Sequence, residues 1–323
     1  MTPSTRLRQA LLALILAILV GARPASAADF PCPEAHLVVP WGTGSGSDVI
    51  ARAFVDVINA SGAKPELQVK NVRGANGKKG TDEVRAAAPD GCTLLLAHQS
   101  LYTTYFSGES DYHWQAFSPV ALLTRTPWVL ASDRMAPFET FDGLVQISRT
   151  APKNVNVAVN PGSIEHFDLM MLEHSLDIRL DYKPIESARE RLLAMLDGAV
   201  NAAFVSVSAA QRYHDYKEVN LLAVTSAEPV NVLPTAPLVR DFGYSYTAGI
   251  ERGIMLPPKA KKEVLDHYVK LFQTAAASPG LAGELAGSGT EIVFQASGQY
   301  RLHLEDMFAE WRNRARDAGL YAD

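Results

Sequence analysis

The sequence predicts an α/β fold of two lobes, each a mostly parallel sheet flanked by helices. Three observations carry that expectation. Short apolar runs alternate with helical segments along most of the chain. A strand, Gly/Ser loop and helix opening occurs twice, once early and once near the middle. The chain has 323 residues, and the ~296 that follow an N-terminal leader are more than one core usually accommodates.

The leader comes first. Arg6 and Arg8 precede an almost wholly apolar stretch at residues 10–20, and Ala25-Ser26-Ala27 supplies small residues for cleavage. Residues 1–27 therefore read as a secretory signal peptide, with an uncleaved amphipathic anchor as the competing reading. The apolar core is about half of the ~20 residues a membrane-spanning helix needs. No Cys follows it closely enough for a bacterial lipobox. The formal net charge of -5, with no Lys/Arg run, leaves no electrostatic footprint for nucleic acid. Cys32 and Cys92 are the only cysteines. In an oxidising compartment an even pair reads as a disulfide more readily than as a site, which requires two strand starts to be neighbours. Zinc-site spacing is missing.

Residues 35–40 form an apolar strand that ends in the loop 42–47, and a helix is expected from Asp48, capped by Ser47 or Asp48, with Val49, Ile50, Ala53, Phe54, Val57 and Ile58 on one face. Strand 67–71 leads to Gly74-Ala75-Asn76-Gly77 and a helix through residues 82–88, then Pro89-Asp90-Gly91 turns into strand 92–97. Beyond Thr126 the rhythm repeats: strand 128–131, helix 141–149, strand 155–159, the turn Asn160-Pro161-Gly162-Ser163 and helix 166–176. A turn at residues 181–184, helix 188–196 and strands 202–207 and 220–225 follow. The last third reads as helical, with segments 262–276 and 298–318, the latter burying Tyr300, Leu304, Met307 and Trp311.

Loops that open into helix N-termini present unpaired backbone N–H groups and the positive end of the helix dipole, which attract carboxylate or phosphate. Residues 42–47 and 74–77 in the first lobe and Gly162-Ser163 in the second make two half-sites facing a cleft; the alternative is that these glycines only make tight turns. Other chemistries lack their residues. Gly42-x-Gly44-x-Gly46 has Ser47 where a dinucleotide fingerprint needs glycine, no Gly-Lys-Ser/Thr triplet exists, and the loop lacks the G-x-S-x-G elbow of a hydrolase. The histidines show no i, i+4 zinc pattern. His98-Gln99-Ser100 follows a strand toward the same cleft edge, with packing as the alternative role. Tyr102, Tyr105 and Phe106 read as core filling, with the wall of an aromatic ligand as the alternative, and Glu165-His166 as a helix cap, with ligand contact as the alternative.

The chain resembles the extracytoplasmic solute receptors of the tripartite tricarboxylate transporter system, the Bug receptors. The resemblance rests on Leu37-Val38-Val39-Pro40-Trp41 followed by Gly44-Ser45-Gly46-Ser47-Asp48, and on Asn71-Val72-Arg73-Gly74-Ala75-Asn76-Gly77. It continues in residues 88–95, Tyr182-Lys183, Leu196-Asp197-Gly198, residues 222–226 and the closing segment 311–319. It implies a type II periplasmic binding fold with two crossovers, lobe 1 at residues 28–125 plus 236–323 and lobe 2 at 126–235. It also implies a ligand carboxylate held by backbone N–H groups and ordered waters rather than by an Arg. Carried over by position, the implied ligand contacts are Trp41, Gly42, Thr43, Gly44, Ser45, Ser47, Asn76, Gly77, His98, Gln99, Ser100, Gly162, Ser163, His166, Tyr182, Ser206 and Ser208. Departures from the pattern include Ser45 within the glycine run, Pro184 after Tyr-Lys, and Glu251-Arg252 where apolar or aromatic residues are common.

The expected function is that of a periplasmic, monomeric, cofactor-free receptor. It captures a small carboxylate for one large and one small integral membrane transporter subunit, without catalysis and without nucleic acid. An exported ligand sensor, or an exported enzyme using His98 or His166, are the alternatives.

Overall fold

The computed structural model describes residues 30–317 and 319, so the leader and Ala318 lie outside the described residues. Strands β1 (Glu34–Val39), β2 (Glu66–Asn71) and β3 (Thr93–Ala97) run parallel, with β1 between its two partners. Helices α1 (Gly46–Ala60) and α2 (Lys78–Ala86) are the crossovers between them, and α3 (Ser100–Phe106) follows β3. Helix α1 buries Ile50, Ala53, Phe54 and Ile58 against the sheet, as the 3.6-residue spacing predicts, while Val49 is half exposed.

The chain leaves the first lobe along β4 (Ser118–Pro127), passes Trp128, and enters the second as β5 (Val129–Asp133). There α4 (Phe141–Thr150), β6 (Asn156–Val159), α5 (Ile164–Leu176), β7 (Asp181–Pro184), α6 (Ala188–Leu196), β8 (Ala202–Val205), α7 (Val207–Asp215) and β9 (Val219–Val224) follow. The return is β10 (Gly249–Leu256), succeeded by α8 (Lys262–Ala276), α9 (Pro279–Ala286), β11 (Glu291–Ala296) and α10 (Ser297–Asp317). Strand orders are β11-β4-β10-β3-β1-β2 and β7-β6-β8-β5-β9. Each sheet keeps a parallel part, to which β10 and β11 in the first sheet and β5 in the second run antiparallel, so both sheets are mixed. This is the two-lobed α/β architecture with two crossings.

Several segments differ from expectation: strand β4 and helices α7 and α9 stand where the sequence reading places no element, and β8 ends at Val205 rather than at residue 207. Residues 181–184 are an edge strand rather than a turn, and Pro184 at its end is tolerated because an edge strand has a free side. Strands β10 and β11 lie in a region that reads as helical. In β10 Glu251 and Arg252 interrupt the apolar run, and β11 is half-buried along its length, so neither shows clean alternation. Val239 and Tyr246 pack in the second lobe's core, so that lobe's packing extends past residue 235.

The crossings are stitched by one buried side chain. Thr225 Oγ1 accepts from the Trp128 amide at 2.9 Å and donates to Ala248 O at 2.8 Å, while its own amide donates to Trp128 O at 3.0 Å. Gly249 begins β10 with φ 150°, and a Cβ there would stand 2.4 Å from Thr126 O. Only glycine fits that crossing.

Candidate functional site

The first-lobe loop is organised by a buried carboxylate. Ser45, not Ser47 or Asp48, caps α1: its backbone is extended and its Oγ accepts from the Asp48 amide at 3.2 Å. Asp48 turns back to accept from the Gly44 amide at 2.8 Å, from Arg52 Nε at 3.2 Å and from Asn71 Nδ2 at 2.9 Å. Burial pushes the Asp48 carboxyl up, but those three donors outweigh it and hold it below its ordinary value. Asn71 also donates to Trp41 O at 3.0 Å and accepts from Thr43 Oγ1 at 3.2 Å, so it ties both ends of the loop to β2. The amides of Gly42, Thr43, Gly46 and Ser47 have no acceptor among the described residues.

Behind the loop, Trp41 stacks on His98 with ring centroids 4.7 Å apart, and Gly77 lies so close that a Cβ would meet Trp41 Cζ2 at 3.0 Å. His98 Nδ1 accepts from the Ser100 amide at 3.0 Å. Burial, reinforced by the Arg252 charge, pushes His98 down to about 3, so the ring is neutral. Two expected contacts turn elsewhere. Gln99 straps the hinge strand, donating to Gly249 O at 2.7 Å and accepting from the Glu251 amide at 3.1 Å. Ser100 is buried in the first turn of α3, where its carbonyl accepts from Thr104 Oγ1 at 2.7 Å.

On the second lobe Ser163 caps α5, accepting from the His166 amide at 3.4 Å, and His166 Nδ1 in turn accepts from the Gly162 amide at 3.2 Å. Capping thus falls to Ser163, and burial holds His166 below the ordinary imidazole value. Tyr182 packs edge-on to His166 at 5.2 Å, but its hydroxyl donates to Glu173 Oε2 at 2.6 Å, which with burial raises its pKa and keeps the hydroxyl out of a cleft. Glu165 pairs with buried Arg191 at 2.5 Å. Ser206 caps α7 through the Ala209 amide, with Ser208 Oγ 3.3 Å away. The leading amides of α5, Ile164 and Glu165, and of α7, Val207 and Ser208, have no acceptor among the described residues.

The lobes pack together through α5, where Phe167 stacks on Trp311 of α10 with ring centroids 5.5 Å apart, and two further contacts frame these helix starts. A Cβ on Gly162 would lie 3.7 Å from Glu109 Oε1, and Glu109 accepts from Asn76 Nδ2 at 3.2 Å, so the α5 turn faces the Asn76 turn. Gly289, at φ 71°, is pressed onto Val207, whose Cγ1 would stand 2.6 Å from any Cβ. Elsewhere, an open cavity of about 790 Å³ lies on the Glu251 face of the hinge strands. Asp168, Glu228, Glu251, Glu291 and Glu310 outnumber Arg125 and His303 in its wall. That sign repels an acid, whereas the helix starts attract one. Among the described residues no cluster of His, Cys, Asp or Glu could hold a metal ion. Cys32 and Cys92 form a disulfide, Cα atoms 6.0 Å apart, joining the chain ahead of β1 to the chain ahead of β3.

Residues 50–320 match the sequence profile of the tripartite tricarboxylate transporter family receptor. The chain belongs to this receptor family. Protein BugT of Bordetella pertussis is 23% identical over 316 residues, covering 96% of this chain and 97% of BugT. Rhodopseudomonas palustris MatC with bound malate superposes with a TM-score of 0.73 at 22% identity, covering 89% of this chain and 99% of MatC. The R. palustris protein Rpa4515 with adipate gives 0.77 at 21% identity, covering 90% and 99%. The family is one of receptors. Among the described residues no helix of this receptor is long and apolar enough to cross a membrane.

Asp48, Asn71, Glu109 and Arg252 stand among the candidate site residues although sequence reasoning did not place them there. Asp48 was visible as a helix-start residue and Asn71 within the family motif; Glu109 carried no signal. Arg252 was visible only as a departure from the family pattern.

Proposed function

We propose that this protein is an exported receptor that binds a small organic acid between its lobes and delivers it, unaltered, to a tripartite tricarboxylate-type secondary transporter. The observation that carries the reading is the set of open amides at the starts of α1, α5 and α7, framed by the Gly162–Glu109 and Val207–Gly289 contacts. A carboxylate satisfies such amides at no cost in proton transfer, and each helix dipole favours its charge. Membership of the receptor family supports the reading, as do relatives of the same fold solved with malate and adipate. The ligand set we assign is the Gly42 to Ser47 loop, Asn76, Gly77 and His98 from the first lobe. From the second it takes Gly162, Ser163, His166, Ser206 and Ser208. The protein acts as a monomer in the periplasm, with integral membrane subunits as its partners.

A thermal-shift screen of the purified protein against mono- and dicarboxylic acids tests this. A ligand present at 100 times its dissociation constant stabilises the folded form by about 2.7 kcal/mol, which raises the melting temperature by several degrees. Absence of a shift across the whole panel contradicts the proposal.

A further inference from the structure

Arg252 is 3% exposed and has no carboxylate within ion-pair distance among the described residues. Its Nε donates to Ser47 Oγ at 2.9 Å and its Nη1 to Thr126 Oγ1 at 2.9 Å, both neutral acceptors. Nη2 has no acceptor among the described residues. It lies 3.4 Å from where a Cβ on Gly46 would be, and Gly46 is exposed, so the third arm of the guanidinium points out beside the head of α1. From Thr126 the contacts run to Thr290 at 2.9 Å, next to Gly289, which touches Val207 at the head of α7.

A buried guanidinium without a counter-charge is costly, and neutral hydroxyls do not cancel its charge. Burial alone pushes it down to about 10, which leaves it charged at neutral pH. The amides of a helix start balance one carboxylate through their partial charges. A full positive charge added at the same place calls for a second.

We infer that Arg252 is the charge-selecting residue of this receptor, pairing through Nη2 with one carboxylate of a small dicarboxylic acid whose other carboxylate sits at the second-lobe helix starts. This rests on the receptor function proposed above and deepens it. A guanidinium–carboxylate pair discriminates a diacid from the same-length monoacid, which the amides alone do only weakly.

The test is titration calorimetry with succinate, malate and adipate, each against its monocarboxylate of equal length. Three proteins are compared: the unaltered chain, Arg252→Gln, and Gly46→Ala, which places a methyl over Nη2 without removing the charge. The unaltered chain is expected to prefer at least one diacid. Arg252→Gln is expected to bind that diacid about 100-fold more weakly and its monoacid within threefold. Gly46→Ala is expected to lose about 10-fold on the diacid. Without ligand, Arg252→Gln is expected to melt no lower than the unaltered chain, because an uncompensated buried charge has been removed. If the unaltered chain binds organic acids and both variants bind them within threefold of it, the Arg252 assignment is overturned while the receptor reading stands. A lower unliganded melting temperature for Arg252→Gln, with unchanged affinity in Gly46→Ala, gives Arg252 a structural role and also overturns it. If no acid binds the unaltered chain, the receptor reading falls and the assignment falls with it.

Discussion

Asp48 shows how one residue shapes the site without touching a ligand. Its carboxylate consumes the Gly44 amide and so determines which amides of the loop stay open. Replacing it as Asp48→Asn keeps the volume but removes a buried anion that three donors face. The expected loss is about 3 kcal/mol of unfolding free energy by urea denaturation, with acid binding lost as the loop relaxes. The neutral histidines set the acid limb of stability. Burial holds His98, His113, His166 and His267 below the ordinary imidazole value. As pH falls below about 6.5, the unfolded chain takes up protons that the folded chain refuses, so stability falls with pH. Each such proton is worth at most about 1.4 kcal/mol per pH unit. Urea melts at pH 7, 6 and 5 should therefore show a declining midpoint, flattened in His98→Gln; a midpoint constant over that range contradicts the assignment. Residue roles of this kind were only partly legible. Ser45 and Ser163 follow from local cap chemistry, but Arg252 meets Ser47 across 205 positions, and no local pattern reports such a pairing.

Among elements, those with strong periodicity were legible because burial alone decides them. Helix α8 runs over the residues expected of it, since Val264, Tyr268, Phe272 and Ala275 share one face. Edge strands β7 and β11 were not legible, because they are short or half-buried and their register is set by neighbours distant in sequence. The disulfide holds two elements whose adjacency was a condition of its expectation: β1 and β3 pair directly, with Leu37 opposite Leu94. Removing it as Cys32→Ser with Cys92→Ser frees a 60-residue loop in the unfolded chain. Loop-closure entropy makes that worth about 4 kcal/mol. The double variant should unfold at lower urea while keeping its acid affinity within a few-fold, since neither sulfur lies near the helix starts. Reduced affinity at temperatures where the variant is fully folded would tie the bridge to binding rather than to stability.

For the whole molecule, the two crossings that join the sheets, at Trp128 and at Ala248, are tied to each other by Thr225. Thr225→Val removes the hydroxyl that joins both crossings, and calorimetry should then show weaker acid binding with little change in which acid is preferred. The global architecture was legible from alternation and length, whereas the closeness of the two lobes was not, because it depends on pairs distant in sequence: Phe167 stacked on Trp311, Gly162 beside Glu109 and Gly289 against Val207.

The central claim is that main-chain amides of both lobes grip a carboxylate. The most direct measurement is a two-dimensional ¹H–¹⁵N NMR titration of the labelled protein with the acid that best raises its melting temperature. The account predicts that the amides of Gly46, Ser47, Ile164, Glu165, Val207 and Ser208 move together to lower field, saturate at one equivalent, and release the acid chemically unchanged. Saturable shifts confined to the Arg125, Glu251 and His303 side of the hinge, with those six amides unmoved, would contradict it.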